Sequence, residues 1–231
     1  MQDTIVVSAH LDDAVLSCYS ALGPSTTVVT VFAGLPPDSV LSSWDAKGGA
    51  TSSRERMAER REEDRRALGP SGTPFIHLDH PSVQFVELGA AERPSPAELA
   101  AALRTLLGDV KTVLAPSALS ANRPLQRFRR RRYSDHRFVR DAVLAARPDA
   151  TLYADLPYAL NPGTGGFVLP RDLDGSRRSE RRVELDDALV AEKLEAVRCY
   201  DSQLEQLVQI FGDFVTPEGL GLEVYWESSP R

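Results

Sequence analysis

The segment Thr4-Ile5-Val6-Val7-Ser8-Ala9-His10-Leu11-Asp12-Asp13 joins an apolar, β-branched run to one imidazole and two carboxylates. Residues 4–7 have the composition of a buried strand, and a helical pattern follows from Ala14. In α/β folds, groups at the carboxyl end of a strand face the crevice that binds ligands. The segment therefore predicts a metal or catalytic site. A helix N-cap is the alternative interpretation, but it accounts for only one of the two aspartates.

Four further apolar, β-rich runs recur along the chain, at residues 27–32, 75–78, 111–114 and 151–154. Helical patterns over 52–68, 96–107 and 135–146 separate most of them. This alternation implies parallel strands joined by helical crossovers. We predict an α/β fold, a Rossmann-like three-layer sandwich with a mostly parallel sheet, as a single domain over residues 1–231.

The remaining segments give weaker signals. The helical pattern that begins at Ala14 should end at Gly23, and a last helix should cover roughly 186–207. Residues 212–226 predict a short hairpin or an edge strand. The spans 32–52 and 161–182 contain the glycines, prolines and arginines of long loops, and the first of these should lie over the crevice.

Composition excludes several classes of function. The 231 residues carry a formal net charge of −6, with a pI near 5.3, which argues against general affinity for nucleic acid or anionic membranes. No apolar run reaches the length of a membrane span, and residues 1–3 lead directly into the first strand, so we expect a cytoplasmic protein. Cys18 and Cys199 lie far apart within helical patterns and should be structural.

The chain has four histidines, and His136 is the one best placed to join the first motif. It follows the loop after the fourth predicted strand, so two strand ends could bring His10, Asp13 and His136 together. Two imidazoles and a carboxylate with an open fourth position are typical of catalytic zinc. Alternatively, Asp135 caps a helix and His136 is an exposed residue of its first turn.

A second histidine pair, His77 and His80, also follows a strand. Residues two apart on a strand share a face, so His77 and Asp79 could form a rival metal cluster. A half-exposed strand end is the alternative interpretation of these residues.

Several of these motifs resemble those of one family, the PIG-L/LmbE-like deacetylases. Residues 8–17 are similar to its amino-terminal signature, usually written with Pro or Ala followed by His-Pro-Asp-Asp-Glu. Residues 60–69 resemble its Arg- and Glu-bearing helix, and residues 134–137 its second histidine motif. Residues 155–159 and 193–203 also resemble family segments, so the likeness covers most of the chain.

The resemblance implies zinc on His10, Asp13 and His136, with Asp12 as the general base that takes a proton from the attacking water. Iron or cobalt would also suit such a ligand set. Many members have a histidine three residues before the second histidine ligand, where it stabilises the oxyanion and is oriented by an intervening aspartate. The corresponding residues here are Tyr133 and Asp135, and a phenol donates a hydrogen bond but carries no charge.

Other positions bear on the substrate. Arg60 and Asp79 align with family positions that hold sugar hydroxyls, although a helix-surface charge and a strand-end turn would account for them equally. An arginine run precedes Tyr133 and could bind a phosphate or carboxylate, or simply form a solvated loop. The run comprises Arg127, Arg129, Arg130, Arg131 and Arg132.

The sequence thus predicts a zinc-dependent hydrolase that removes an acetyl or other acyl group from an N-acylated amino sugar or a related small glycoconjugate. An amidase of larger acyl or thiol conjugates, or a tailoring deacetylase of a natural product, is the alternative within the enzymes. A metal- or sugar-binding protein with weakened turnover is the alternative outside them. The sequence leaves the oligomeric state open.

Overall fold

The computed structural model describes residues 3–119, 134–160, 166–173 and 177–228. Its strands are β1 (Thr4–Ser8), β2 (Thr26–Thr30), β3 (Phe75–His77), β4 (Thr112–Pro116), β5 (Thr151–Tyr153), β6 (Arg178–Glu184) and β7 (Leu222–Ser228). Its helices are α1 (Asp13–Ser17), α2 (Ser43–Lys47), α3 (Ser53–Leu68), α4 (Val83–Glu87), α5 (Pro96–Leu107), α6 (Asp135–Ala146), α7 (Asp187–Val197), α8 (Asp201–Phe211) and α9 (Pro217–Leu220).

The described strands form one sheet in the order β3-β2-β1-β4-β5-β7-β6. Neighbours among β1 to β5 pair in parallel, whereas β7 runs antiparallel to both β5 and β6. The mostly parallel α/β sheet predicted from the sequence is confirmed. The chain runs in opposite directions across the sheet from β1 and from β4, and crossovers of this kind place helices on both faces, which gives the three layers.

The sheet order determines where a site can form. From β1 the chain proceeds towards β2 and β3, and from β4 it proceeds towards β5 on the other side. The neighbouring strands β1 and β4 therefore flank the point at which the order reverses, where α/β folds open a crevice at the carboxyl ends of their strands. The segments after β1 and β4 carry His10 and lead to His136.

Helix α5 shows how local signals define an element. Ser95 and Glu98 form a reciprocal capping box, Pro96 occupies the first turn, and Gly108 follows the last residue. Its buried face places Leu99, Leu103 and Leu107 at four-residue intervals against the core. Burying each leucine stabilises the fold by about 1.5–3 kcal/mol. The predicted helix over 96–107 agrees with the observed bounds.

Five predictions about the extent or number of elements were wrong. The span 32–52, predicted as a loop, contains α2. Helix α1 ends at Ser17, and a 3-10 turn over Tyr19–Ala21 continues the segment towards Gly23. The helix predicted over 186–207 is two helices, α7 and α8. The predicted loop 161–182 contains the start of β6. Residues 212–226 contain α9 and most of β7, which is an inner strand rather than an edge.

The physical reason for the missed strand is its position. Strand β6 is one of the two outer strands of the sheet, at the edge opposite β3, and most of its residues are exposed and charged. It pairs along its whole length with the buried strand β7, so backbone hydrogen bonds rather than side-chain burial define it. None of the described helices combines the length and the apolar composition that a membrane span requires.

Candidate metal centre

Three side chains from two segments of the chain meet at the crevice. His10 lies two residues after β1, Asp13 begins α1, and His136 is the second residue of α6. His10 Nδ1 is 3.2 Å from His136 Nε2, which lies 3.6 Å from Asp13 Oδ1, and Asp13 Oδ2 is 3.9 Å from His10 Nδ1. Tetrahedral ligands of zinc at 2.0–2.1 Å would lie about 3.3 Å apart. The donor types and their spacing therefore fit a divalent metal such as zinc.

The contacts at the helix starts contradict the capping interpretations. Asp12 occupies the N-cap position of α1, but its side chain makes no capping hydrogen bond. Asp13 Oδ2 accepts a hydrogen bond from the backbone N–H of His10, in the loop before the helix, at 2.8 Å. At α6 the cap is Ser134, whose hydroxyl accepts from the N–H of Arg137. His136 is buried, with 5% of its surface exposed. Both segments therefore direct their polar groups into the crevice.

A buried aspartate orients His136. Asp155, which follows β5, lies with Oδ1 2.6 Å from His136 Nδ1. Its Oδ2 accepts hydrogen bonds from Ser117 Oγ at 2.7 Å and from the N–H of Leu119 at 2.9 Å. A carboxylate at Nδ1 fixes the ring orientation and the tautomer, which leaves the Nε2 lone pair facing the centre.

Asp135 orients the other imidazole. Its Oδ2 lies 3.1 Å from His10 Nε2, which leaves His10 Nδ1 facing the centre. Its Oδ1 accepts a hydrogen bond from Arg93 Nη2 at 2.9 Å, and the N–H of Val83 lies 3.2 Å from both oxygens. Asp135 was predicted as a catalytic residue; in the structure it contacts His10, one of the candidate ligands, and its catalytic role stays a prediction.

The centre is electrostatically suited to a cation. Burial lowers the pKa of both imidazoles, but carboxylate charges outweigh it: Asp13 and Asp155 raise the pKa of His136 to about 10, and Asp135 and Asp13 raise that of His10. Burial and then the charge of Asp13 raise the pKa of Asp12 to about 6. The negative charges that favour protonated imidazoles would equally stabilise a divalent metal ion.

Comparison with solved structures identifies the fold. No family model and no curated protein sequence matches the chain. A triple mutant of the teicoplanin deacetylase Orf2 has 24% identity, covers 97% of this chain and 96% of its own, and superposes with a TM-score of 0.73. The A40926 pseudoaglycone deacetylase Dbv21 has 25% identity, a TM-score of 0.69, and coverage of 98% and 96%. The chain therefore shares the fold of these two deacetylases.

More distant structures share this fold. The N,N'-diacetylchitobiose deacetylase of Pyrococcus horikoshii has 16% identity, a TM-score of 0.58, and coverage of 98% of this chain and 82% of its own. GalB, the 4-carboxy-2-hydroxymuconate hydratase of Pseudomonas putida KT2440, has 17% identity, a TM-score of 0.56, and coverage of 100% and 98%. Since a hydratase is among these structures, the shared fold alone does not determine the reaction.

Within this deacetylase fold, Arg60 and Asp79 do not meet each other. Arg60 lies on the inner face of α3, only 4% exposed, with Nη2 2.7 Å from Asp45 Oδ1. Asp79 is exposed, and its Oδ1 accepts a hydrogen bond from Arg61 Nη2 at 2.8 Å. The two arginines are adjacent in sequence but point to different sides of the helix. The sugar-binding roles of Arg60 and Asp79 stay predictions. The catalytic role of Tyr133 also stays a prediction, because Tyr133 and the arginine run before it lie outside the described residues.

The rival cluster at His77 is not present in the described part of the chain, where the His10, Asp13 and His136 group alone offers three clustered ligands. His77 Nε2 lies 2.7 Å from Asp64 Oδ2, and Tyr200 Oη lies 2.7 Å from Asp64 Oδ1 and 3.1 Å from the carbonyl oxygen of Leu11. His77 is thus part of a polar network that reaches the backbone of Leu11, next to His10, through Asp64 and Tyr200.

The sequence did not predict two contacts at this centre, that of Asp155 with His136 and that of Arg93 with Asp135. Asp155 had a usable signal, since it is a carboxylate directly after a strand of the predicted parallel sheet. Arg93 had none, because it lies between α4 and α5 in a segment without periodicity.

Proposed function

We propose that this chain is a metal-dependent N-deacetylase that hydrolyses the acyl amide of an N-acylated amino sugar or a related small glycoconjugate, with zinc as its metal. The observation that carries the proposal is the His10, Asp13 and His136 cluster, in which a buried carboxylate orients each imidazole and Asp12 lies beside the third ligand. The deacetylases Orf2 and Dbv21, which share the fold, support the amide as the bond that is cleaved.

The roles of the residues follow from their chemistry. Zinc, when bound by His10, Asp13 and His136, would activate a water molecule and polarise the carbonyl of the acyl group. Asp12 is 7% exposed and interacts electrostatically with Asp13, His10 and His136, which supports it as the group that would take a proton from the attacking water. It would then return that proton to the leaving nitrogen as the carbon–nitrogen bond breaks. One amide and one water give one carboxylic acid and one amine.

We infer that Tyr133 donates a hydrogen bond to the oxyanion that forms during this reaction, in the place of the histidine that many PIG-L/LmbE-like deacetylases have. Losing such a donor typically costs about 2.7–4 kcal/mol of transition-state stabilisation. Tyr133→Phe should therefore lower kcat by about 100-fold or more and leave zinc binding unchanged. A variant with wild-type kcat would remove Tyr133 from the mechanism.

The substrate class is supported by the substrates named for related structures, which are teicoplanin, the A40926 pseudoaglycone and diacetylchitobiose. We propose an amino-sugar glycoconjugate for this chain, with Arg60 and Asp79 retained as candidate contacts to its hydroxyls and the arginine run as a candidate contact to an anionic group. We also propose a cytoplasmic protein that acts on small molecules rather than on nucleic acid.

The test combines metal analysis with product detection. Purified protein should contain about one zinc per chain and release acetate from a panel of N-acetylglucosamine derivatives, including glycosylated natural products. Asp12→Asn keeps the size of the side chain but removes the base, so it should keep zinc and lose about 100- to 10,000-fold in kcat. Absence of zinc, or full activity in Asp12→Asn, would contradict the mechanism. Because one Orf2 structure is a zinc-inhibited form, activity should also be measured against cobalt and iron and across zinc concentrations.

A hydratase is the second candidate, and the likeness to GalB is the observation that favours it. Such an enzyme would add water across a carbon–carbon double bond. Conjugated unsaturated acids lose ultraviolet absorbance on hydration, so the same protein can be tested with them directly. Loss of absorbance without acetate release from any N-acetyl compound would favour this candidate over the deacetylase.

A further inference from the structure

The guanidinium of Arg93 is held on three sides. Its central carbon lies 4.0 Å from the ring centre of Phe138 and 4.6 Å from that of Phe32, and the two rings are 6.0 Å apart. Its Nη2 donates a hydrogen bond to Asp135 Oδ1 at 2.9 Å. Only 14% of the Arg93 side chain is exposed. An arginine packed against two aromatic rings and paired with a carboxylate has little freedom, so its donor is restricted in direction.

Asp135 depends on this arginine. The carboxylate is buried, with 4% exposed, and in the described part of the chain no other arginine or lysine pairs with it. The N–H of Val83 is its backbone donor. Without Arg93 this buried carboxylate would carry a large uncompensated desolvation cost and would lose the charged donor at its Oδ1.

The two candidate histidine ligands are therefore supported differently. The carboxylate behind His136, Asp155, is held by the neutral donors of Ser117 and Leu119. The carboxylate behind His10 is held by a stacked cation. This difference makes Arg93 specific to the His10 side of the centre.

We propose that Arg93 is a positioning residue of the metal centre: it holds Asp135 in the orientation in which His10 presents Nδ1 to the metal. The chain of contacts runs from Arg93 Nη2 to Asp135 Oδ1, and from Asp135 Oδ2 to His10 Nε2. While Asp135 accepts the Nε2 proton, the Nδ1 lone pair remains available as a ligand. This inference rests on the proposed function only in requiring that the centre binds a metal.

The experiment measures metal binding rather than turnover. Zinc affinity of the metal-free protein is determined by competition with a chromophoric chelator, and the visible spectrum of the cobalt-loaded protein reports ligand geometry. Arg93→Gln should bind zinc about 10-fold or more weakly, within the 10- to 100-fold range typical of residues that orient metal ligands, and its cobalt band should shift. Arg93→Lys keeps the charge without the planar fork, so its affinity should be intermediate.

The matched control is Arg147→Gln. Arg147 also pairs with an aspartate, Asp149, at 3.1 Å and also has a mostly buried side chain, with 19% exposed, but it contacts none of the candidate ligands. It should keep wild-type zinc affinity. A double variant with Asp135→Asn tests the connection, because Arg93→Gln should lose most of its effect once Asp135 has no charge to hold.

The outcomes separate this inference from the proposed function. Wild-type zinc affinity and an unchanged cobalt spectrum in Arg93→Gln, or additive effects in the double variant, would overturn the positioning role while leaving a zinc-binding, acetate-releasing wild type intact. If Arg93→Gln does not fold, the decision passes to Arg93→Lys, for which unchanged affinity and spectrum overturn the role. A wild-type protein that binds no metal refutes the proposed function itself.

Discussion

Replacing Asp155 with asparagine tests how strongly a buried carboxylate determines the metal centre. The side chain is 1% exposed and has three partners: His136 Nδ1 at 2.6 Å, Ser117 Oγ at 2.7 Å and the N–H of Leu119 at 2.9 Å. Asparagine has one acceptor oxygen and one NH2 donor. Whichever way the amide is turned, its NH2 faces either the imidazole N–H or the N–H of Leu119.

The expected size of the effect can be obtained in two ways. Losing a hydrogen bond to a charged group costs about 1.5–3 kcal/mol. The loss of an orienting partner typically weakens metal binding by about 10- to 100-fold, which corresponds to about 1.4–2.7 kcal/mol. The two agree, so we expect the zinc affinity of Asp155→Asn to fall by about 10- to 100-fold.

The assay is the chelator competition described above, with urea unfolding of the metal-free protein to measure stability separately. Ser117→Ala is the graded control, since it removes one neutral donor from Asp155 and leaves the contact with His136. It should destabilise the fold by about 1 kcal/mol and change zinc affinity far less than Asp155→Asn does. If Asp155→Asn binds zinc with wild-type affinity, the carboxylate does not orient His136 and the reasoning is refuted.

Further predictions concern stability and the support of the centre. Lys193 pairs with Glu223 at 2.8 Å with both side chains fully buried, so Lys193→Met should lower the free energy of unfolding in urea by about 3–5 kcal/mol, and a loss below about 1 kcal/mol would contradict this. Burial raises the pKa of Asp172, but its hydrogen bond and ion pair with Arg140 outweigh burial and lower it. The stability that Asp172 contributes is therefore present above about pH 4 and lost as the pH falls through the lowered value, so the difference from Asp172→Asn should shrink in acid unfolding; a constant difference would refute the assignment. Tyr200→Phe removes the hydroxyl that contacts Asp64 and the carbonyl oxygen of Leu11, so it should lower the free energy of unfolding of the metal-free protein by about 1–3 kcal/mol. Thermal unfolding measures this, and an unchanged Tm would show that these hydrogen bonds do not stabilise the fold.

Sequence reasoning succeeded where a feature depends on neighbours in the chain. The capping box at Ser95 and the glycine at position 108 define α5 through contacts within four residues, and apolar runs define the buried strands β1 and β2. A parallel sheet predicted that His10 and His136 could meet, since each follows a strand, and the resemblance to the deacetylase family supplied the set of ligands. Those predictions use information that the local sequence contains.

It failed where an element depends on distant partners. No proline or glycine marks the break between α7 and α8, and Tyr200 at that break reaches instead to Asp64 and Leu11. The adjacent Arg60 and Arg61 look alike in sequence, but helical geometry turns one into the protein towards Asp45 and the other towards Asp79. Which of two neighbouring arginines reaches a given aspartate is decided by the packing of α3, which one sequence does not reveal.

The outer position of β6 has a consequence for how the protein behaves at high concentration. An unpaired strand edge can recruit the same edge of another molecule and extend the sheet between chains. At one end of this sheet β3 is only three residues long, and at the other β6 exposes Glu180, Arg181, Arg182 and Glu184. A strand from a second molecule would have to strip water from these charges before it could pair. One sheet edge is short and the other is strongly hydrated, so both should protect the protein against aggregation through edge-to-edge strand pairing.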